Sequence, residues 1–322
     1  MEKRWDVIAL GELLIDFTEN GYSEQGNPVL EANPGGAPCN LLAMLNHLGR
    51  KTAFIGVVGK DSFGIYLRQI LRESDIDDTC LYENPDVHTT LAFVHTAPDG
   101  DRDFAFYRNP GADMTLTEEQ IDEAFLASGK AFHFGTLSMT HEGARKATKK
   151  AIRIAREKGM LLSFDPNLRV PLWDDLDTAR EQIDYGMRHC DVLKISDDEV
   201  KFMTGNENIR EGARQLAKEY PQITLMNVTL GKEGSIAFYH GKEVFQAPFL
   251  QENTIETTGA GDTFGGCALH YVLEHGLEDL TEKQLQEMLR FANAASSLIT
   301  TRKGALRVMP TKEEIESFLM DK

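Results

Sequence analysis

The feature that most constrains the fold of this chain is an alternation of short apolar runs with longer segments of helical periodicity. Runs of this length suit buried strands, and the amphipathic stretches between them suit helices that pack on a sheet. The pattern therefore predicts an α/β fold built from βαβ units, with a mostly parallel sheet covered by helices. The predicted strands are residues 7–14, 53–58, 131–134, 160–164, 192–195 and 223–230. The predicted helices between them are residues 40–48, 63–74, 143–157, 177–188 and 211–220.

The last third of the chain contains the longest helical patterns. One begins near residue 259 and runs to His275, a second runs from Thr281 to about Thr300, and a short third spans 312–319. They follow two strand-like runs, at 235–239 and 244–250. Since neither a fixed repeat nor a low-complexity linker divides the sequence, we expect a single domain over residues 1–322.

Two segments interrupt the alternation, at about residues 15–34 and 87–112. The second is rich in β-forming residues and carries a hairpin-turn signal at Pro98, Asp99 and Gly100. An antiparallel excursion of this kind suits a lid that closes over the strand ends. It equally suits a hairpin with no functional role, and periodicity alone does not separate the two.

Composition narrows the classes of function. Lysine and arginine total 34 against 51 aspartate and glutamate residues, which gives a formal net charge of −17. This acidic excess disfavours a nucleic-acid or anionic-membrane surface, because phosphates would be repelled. The four cysteines are scattered and suit a reducing compartment. No apolar stretch approaches the about 18 residues that a membrane helix needs. We therefore predict a cytoplasmic protein without nucleic-acid or membrane partners.

The most informative motif is Thr257-Thr258-Gly259-Ala260-Gly261-Asp262, at the start of a long helical pattern. Glycines let backbone amides turn toward a ligand at a helix N-terminus, where unpaired N–H groups and the helix dipole attract anions. An aspartate in that first turn would lie beside the bound anion. Such a placement makes sense if Asp262 takes a proton from a hydroxyl that attacks a phosphoryl group.

This motif has other interpretations. Asp262 could simply stabilise the helix dipole, a contribution of roughly 0.3–1 kcal/mol. The spacing of Gly259, Gly261 and Gly265 is GxGxxxG and lies late in the chain, whereas a dinucleotide-binding GxGxxG normally follows the first strand. The segment 56–61 lacks Walker A spacing. Dinucleotide binding and a P-loop are both disfavoured.

Two further motifs contain polar residues suited to ligands. In the segment 33–40, Gly35 and Gly36 precede a predicted helix, and Asn40 can both donate and accept hydrogen bonds. With Asp16 near the end of the first strand, this set suits a polyhydroxylated ligand. Alternatively, the segment is only a helix-entry turn. The segment 163–169 follows a buried strand and could hold a metal–water shell and a phosphate, or form an ordinary turn.

Two other motifs lie where predicted strands end. The segment 194–199 leaves a strand and begins a helix, so its acidic residues could cap that helix or, through Glu199, bind magnesium by way of water. The segment 229–234 could cradle a nucleotide or form a simple hairpin turn. No HExxH or GxSxG motif is present in the sequence.

Taken together, these segments resemble the signatures of the ribokinase-like (PfkB) carbohydrate kinases. Gly35, Gly36 and Asn40 are similar to the N-terminal signature, and the segment 257–262 is similar to the C-terminal one. The segments 11–16, 101–113 and 165–169 are similar to those of fructokinases, the second of them to the fructokinase lid. The resemblance implies a three-layer α/β sandwich with a small β lid. It also implies phosphorylation of the primary 6-hydroxyl of D-fructose by ATP.

The resemblance also implies a role for individual residues. Asp262 would be the base, beside an anion hole formed by the amides of Gly259, Ala260 and Gly261. The residues implied to bind sugar or its phosphate are Asp16, Gly35, Gly36, Asn40, Arg108 and Arg169. The residues implied to line the nucleotide site are Lys194, Thr229, Gly231, Gly234 and Asn293.

The implied ions are Mg²⁺, organised by Glu199 through water, and K⁺ near Glu256 and Thr258. Glu256 is one methylene longer than the family's usual aspartate, and Ser196 replaces the asparagine of its Asn-x-x-Glu pattern. The resemblance leaves open a related kinase for another sugar, a sugar acid or a nucleoside, and a catalytically silent sugar-binding relative. It also suggests a homodimer that forms through the lid.

Overall fold

The computed structural model of the chain describes residues 3–96 and 102–322. Within them, the larger of two sheets has nine strands in the spatial order β13-β12-β11-β10-β9-β8-β1-β4-β5. Every neighbouring pair from β11 to β5 is parallel, and β12 runs antiparallel to both its neighbours. These strands are β1 (Trp5–Leu10), β4 (Thr52–Gly59), β5 (Ile76–Asn84), β8 (Gly129–Gly135), β9 (Leu161–Asp165), β10 (Val192–Ser196), β11 (Leu225–Thr229), β12 (Ser235–Tyr239) and β13 (Lys242–Gln246).

Helices cover both faces of this sheet. In the central strand β1, Val7 and Ala9 pack into one apolar cluster, whereas Ile8 and Leu10 pack into another. Side chains alternate between the faces of a strand, so two separate cores require helices on both sides. The α-helices of the described part of the chain are α1 (Ala37–His47), α2 (Ser62–Glu73), α3 (Glu123–Ala127), α4 (Glu142–Glu157), α5 (Leu176–His189), α6 (Asp197–Thr204), α7 (Ile209–Glu219), α8 (Ala260–His275), α9 (Glu282–Ile299) and α10 (Lys312–Met320).

A second, four-stranded sheet stands apart from the first, in the order β3-β2-β6-β7. Its strands are β2 (Leu14–Tyr22), β3 (Pro28–Gly35), β6 (Leu91–Thr96) and β7 (Arg102–Tyr107). They match the two segments, about 15–34 and 87–112, in which the sequence predicts a lid, with β2 beginning and β3 ending one residue outside the first. The predicted turn at 98–100 lies outside the described residues. We refer to these four strands as the lid sheet.

The predicted α/β fold is confirmed, with several local differences. The strand predicted at 7–14 divides into β1, which ends at Leu10, and β2, which begins at Leu14. The sequence analysis missed β5, which lies at an edge of the large sheet. The strand predicted at 244–250 instead begins at Lys242 and ends at Gln246. In the described part of the chain, no helix is long and apolar enough to cross a bilayer.

Candidate active site

A cavity of about 700 Å³ opens at the carboxyl ends of the parallel strands, next to the lid sheet. Ligands of open α/β sheets bind at this edge, where loops follow the strands. Residues from both sheets and from the start of α8 line it. They are Glu12, Leu14, Asp16, Gly36, Ala37, Asn40, Phe106, Leu137, Asn167, Arg169, Lys194, Ser196, Glu199, residues 254–259, Gly261 and Asp262.

The backbone at Gly259 turns the chain into α8 at the cavity wall. Gly259 has a left-handed φ of 76° and caps the helix without a side chain. A Cβ at this position would lie 2.7 Å from the Ala305 Cβ, so glycine is required by both conformation and space. Asp262 follows in the first helical turn. The positive end of α8 therefore faces the cavity with a carboxylate beside it.

Asp262 is held by a residue that is distant in sequence. Asn40 Nδ2 donates to Asp262 Oδ2 over 2.8 Å, across 222 positions of the chain. Burial raises the Asp262 pKa to about 6, against the lowering effect of the Asn40 hydrogen bond and with a further rise from Asp165. Lys194 and Arg169 act in the opposite direction. A carboxylate of this pKa is ionised at neutral pH and can accept a proton.

One polar atom of the Asn40 side-chain amide makes no hydrogen bond within the described residues. Its side chain is buried, and among the described residues Asn40 Oδ1 has no hydrogen-bond partner. A buried acceptor without a donor costs about 1–3 kcal/mol, which a ligand hydroxyl at this site could recover. Asn40 can therefore accept from a ligand while it donates to Asp262.

Three further predicted sugar residues, Asp16, Gly35 and Gly36, lie together at the cavity wall. A Cβ on Gly35 would lie 2.3 Å from Asp16 Oδ2, so the carboxylate of Asp16 rests on the backbone of Gly35. A Cβ on Gly36 would lie 2.4 Å from the Glu12 carbonyl oxygen, and Gly36 has a φ of 123°. The two glycines thus permit close approach of residues 35–36 to residues 12–16.

Cationic side chains lie near Asp262. Lys194 Nζ forms an ion pair with Asp165 Oδ2 at 3.0 Å, and a Cβ on Gly261 would lie 3.0 Å from that Nζ. Burial alone would lower the Lys194 pKa, but the carboxylates of Asp165, Glu199 and Asp262 raise it above its usual range. Arg169 also lines the cavity. These two cations can balance negative charge brought in by a ligand.

Glu199 acts as a helix cap in this structure. Its Oε2 accepts from the Ser196 N–H and its Oε1 from the Leu168 N–H, each at 2.8 Å. Ser196 Oγ accepts from the Glu199 N–H, which completes a capping box at α6. The capping interpretation of this motif is therefore confirmed, and Glu199 also lines the cavity.

Three predicted positions differ from expectation. The buried Arg108 guanidinium binds Asp113 and lies outside the cavity lining. Asn293 Oδ1 accepts from Ser235 Oγ at 2.9 Å, and its Nδ2 donates to the main-chain carbonyls of Gln246, which ends β13, and Ala247. Because its polar atoms bind the protein, Asn293 joins α9 to the sheet. The Ala260 N–H donates to the Thr257 carbonyl at 3.2 Å, so it is turned away from an anion.

The remaining nucleotide candidates lie at the turn between β11 and β12. Thr229 ends β11, Gly231 has a φ of 53°, and Gly234 has a φ of 104°. A Cβ on Gly234 would lie 2.2 Å from the Gln246 carbonyl oxygen, so this turn packs closely on the end of β13. These residues lie outside the cavity lining, and Lys194 is the nucleotide candidate that the structure brings into it.

Glu256 and Thr258 both line the cavity, and Glu256 has a defined partner. Its Oε1 accepts from the Gly304 N–H at 2.6 Å. The extra methylene of Glu256 thus reaches the loop that follows α9. One carboxylate oxygen of Glu256 is therefore already hydrogen-bonded to this loop.

Comparison of the sequence with models of protein families identifies the family of this chain. The model of the pfkB family of carbohydrate kinases matches residues 5–312. The chain is a member of this family. The predicted ribokinase-like fold and the predicted class of reaction, phosphoryl transfer from ATP to a sugar, are thereby confirmed.

Relatives of this kinase carry fructokinase names. It is 40% identical to Probable fructokinase-2 of Arabidopsis thaliana over 97% of this chain and 95% of that protein. A fructokinase from Vibrio cholerae O395, solved with fructose, ADP and potassium, matches with a TM-score of 0.87 and 28% identity over 99% of both chains. An aminoimidazole riboside kinase from Salmonella enterica matches with a TM-score of 0.83 and 25% identity, over 97% of this chain and 99% of that one.

Sequence reasoning missed Glu12 as a site residue of this kinase. Its side chain is buried, lines the cavity, and accepts from the Ala37 N–H through Oε1 at 2.8 Å. The N-cap of α1, Gly36, has no side chain, so Glu12 supplies the cap from another segment. Burial raises the Glu12 pKa to about 7. A capping carboxylate so far from its helix in sequence has no local sequence signal.

Proposed function

We propose that this kinase is an ATP-dependent fructokinase, which transfers the γ-phosphoryl group of ATP to the primary 6-hydroxyl of D-fructose. The observation that carries the proposal is the Asp262 carboxylate, held 2.8 Å from the Asn40 amide at the N-terminus of α8 in the cavity. The names of its relatives support fructose as the acceptor.

The chemical role of Asp262 is that of a general base. As the 6-oxygen bonds to the γ-phosphorus and the bond from that phosphorus to the leaving oxygen of ADP breaks, the hydroxyl proton passes to Asp262. Phosphoryl transfer has a loose transition state, so the proton leaves late and a weak base suffices. The pKa of about 6 meets this requirement at neutral pH.

The phosphates are proposed to lie between the start of α8 and two cations. The unpaired amides and dipole at the N-terminus attract an anion, with Gly259 and Gly261 better placed than Ala260. Lys194 and Arg169 would offset the charge that accumulates during transfer. Thr229, Gly231 and Gly234 would contact the rest of the nucleotide.

The sugar is proposed to occupy the opposite side, against the lid sheet. Asn40 Oδ1 would accept from one hydroxyl and Asp16 from others, over the close-packed Gly35 and Gly36. A lid that closes over this side would exclude water, which otherwise competes with the sugar for the γ-phosphoryl group.

Two ions are part of the proposal. Mg²⁺ is bound by carboxylate, water and phosphate oxygens, and Glu199, whose two oxygens each accept a main-chain N–H, would hold it through water. It would offset charge on the nucleotide phosphates. K⁺ would use the second oxygen of Glu256, because the first binds the Gly304 N–H. The cytoplasmic location stays a prediction from the sequence.

An acceptor screen tests the proposed substrate. Purified wild-type kinase is given ATP and Mg²⁺ with fructose, ribose, a sugar acid or a nucleoside, with and without potassium, and ADP and phosphorylated product are measured. We expect fructose to give the highest kcat/KM. A preference for ribose or a nucleoside, as in the riboside kinase that matches structurally, would reject fructose. Ligand binding without turnover of any acceptor would identify a silent relative.

A further inference from the structure

The connections between the lid sheet and the large sheet meet at one buried ion pair. Arg108 directly follows β7, and its Nη2 lies 2.7 Å from Asp113 Oδ2, with Nε at 2.8 Å from the same oxygen. The two side chains are only 3% and 1% exposed. A charge buried to this degree is stable only when its partners are fixed in place.

The same pair holds the strand that enters the lid sheet. Thr90 immediately precedes β6, and its hydroxyl donates to Asp113 Oδ1. A Cβ on Gly111 would lie 1.9 Å from Thr90 Oγ1. The segment that enters the lid sheet at Thr90 and the segment that leaves it near Gly111 are therefore in direct contact. The Ala112 N–H donates to the His88 carbonyl at 2.9 Å, which adds a main-chain link. We call Thr90, Arg108, Gly111 and Asp113 the lid base.

The lid base is also joined to the wall of the cavity. Arg108 Nη1 donates to Thr140 Oγ1 at 2.8 Å, and Nη2 donates to the Leu137 carbonyl at 2.9 Å. Leu137 lines the cavity on the large-sheet side, and Phe106, two residues before Arg108, lines it from the lid sheet. One guanidinium therefore connects the chain that carries Phe106 to the turn that carries Leu137, and both residues line the cavity.

We propose that Arg108 is a positioning residue, which fixes the lid base to the turn at Leu137–Thr140 so that Phe106 and Leu137 enclose the acceptor in one geometry. This inference rests on the proposed sugar-kinase function and replaces the expectation that Arg108 touches the sugar. The planar fork of arginine spans a carboxylate, a carbonyl and a hydroxyl at once, which the single nitrogen of lysine does not. If the lid base were less rigid, the kinase would bind the acceptor more weakly and water would enter beside the γ-phosphate.

The test compares Arg108→Lys with Arg68→Lys as a matched control. The Arg68 guanidinium also binds several groups at once and joins α2 to β5. Its partners are Asp78, Glu83 and the Leu81 carbonyl. We expect Arg108→Lys to raise KM for the acceptor about tenfold while KM for ATP stays within about twofold, since misplacement of about 1 Å has effects of this size or larger. The ratio of ADP to sugar phosphate should also rise above the wild-type ratio. Arg68→Lys should lower the thermal midpoint without either kinetic change.

A second variant separates positioning from direct sugar contact. Thr140→Val removes one acceptor of the guanidinium but leaves the ion pair with Asp113, so it should fold and give a smaller change in the same two quantities. The proposal would be overturned if both variants kept the wild-type KM for the acceptor and the wild-type ratio of ADP to sugar phosphate. It would also be overturned if Arg108→Lys changed the acceptor KM and Thr140→Val did not. The comparison uses whichever acceptor the wild type phosphorylates, so rejection of fructose would leave this test intact.

Discussion

At the scale of single residues, the pairing of Asn40 with Asp262 sets the chemistry of the site. The amide donates to the ionised carboxylate and thereby lowers a pKa that burial has raised to about 6. The same amide presents a buried acceptor without a partner among the described residues. In the proposed mechanism, base strength and acceptor recognition are therefore linked through one side chain.

The first prediction concerns this link. In Asn40→Ala, loss of the hydrogen bond to the charged form should raise the Asp262 pKa further, because desolvation then acts unopposed at that contact. A base must be deprotonated to act, so the acidic limb of the profile of kcat against pH should move to higher pH. KM for the acceptor should rise about tenfold. Steady-state kinetics from pH 5 to 8 measures both, and an unmoved acidic limb would contradict the account.

At the scale of elements, the cavity depends on how helices and strands begin and end. Helix α1 begins after its N-cap Gly36, which has no side chain, and Glu12, which follows β1, accepts from the N–H of the first helical residue, Ala37. The helix then presents Asn40 to Asp262 in the first turn of α8. The Asn40–Asp262 hydrogen bond thus joins the first turns of α1 and α8, while Glu12 caps α1.

The second prediction uses the raised pKa of Glu12, about 7, against an unfolded value near 4.5. Between these values the folded state binds more protons than the unfolded state, so this group lowers the free energy of unfolding as pH rises from about 4.5 to 7. Glu12→Gln cannot ionise but still accepts from the Ala37 N–H. The variant should therefore gain stability relative to the wild type between pH 5 and 8. Urea unfolding at both pH values measures this, and a constant difference would refute it.

The extent to which elements are predictable from the sequence differs with their position. Interior strands such as β4 are nearly continuous apolar runs, and β4 was predicted to within one residue at each end. Strand β5 was missed because, at the sheet edge, Ile76, Cys80 and Leu81 are interspersed with the polar residues of an exposed face. The partner of Asp262 and the inward position of Glu12 were not predictable, because both depend on contacts between distant segments.

The sequence predicts the position of a motif in the fold more reliably than it predicts what the individual residues of that motif contact. The segment 257–262 lies at a helix N-terminus in the cavity, as predicted. Arg108 and Asn293 have the residue types of ligand-binding side chains, but their polar atoms are bound by the protein itself. Whether a polar side chain faces a ligand or another segment is decided by packing, which a motif does not specify.

At the scale of the whole molecule, the lid sheet has two different faces. Leu14, Asp16 and Phe106 face the cavity. On the other face, Phe17 packs on Phe63 of α2, and Phe93 stacks on Phe17 and contacts Tyr107 with ring centroids 5.0 Å apart in each case. Tyr107, at the end of β7, is 68% exposed. We propose that this outer face is where two copies associate as a homodimer.

The third prediction tests that association. Tyr107→Asp places a charge on the outer face and should weaken dimerisation at least about tenfold, since an unpaired charge is costly to bury. Phe245→Asp, at an exposed position on the edge strand β13, is the matched control and should leave it unchanged. Because each copy carries a net charge of −17, wild-type association should strengthen with salt. Sedimentation equilibrium measures these effects, and a wild-type monomer at all concentrations would reject the dimer.

The most direct test of the account is the turnover of Asp262→Asn. Asparagine has nearly the same shape and cannot accept the hydroxyl proton, so kcat should fall about 10³-fold or more, while the thermal midpoint and nucleotide binding stay close to those of the wild type. Glu282→Gln, which neutralises a first-turn acid of α9, serves as the control and should keep full activity. A kcat for Asp262→Asn within about tenfold of the wild type would contradict the assignment of Asp262 as the base.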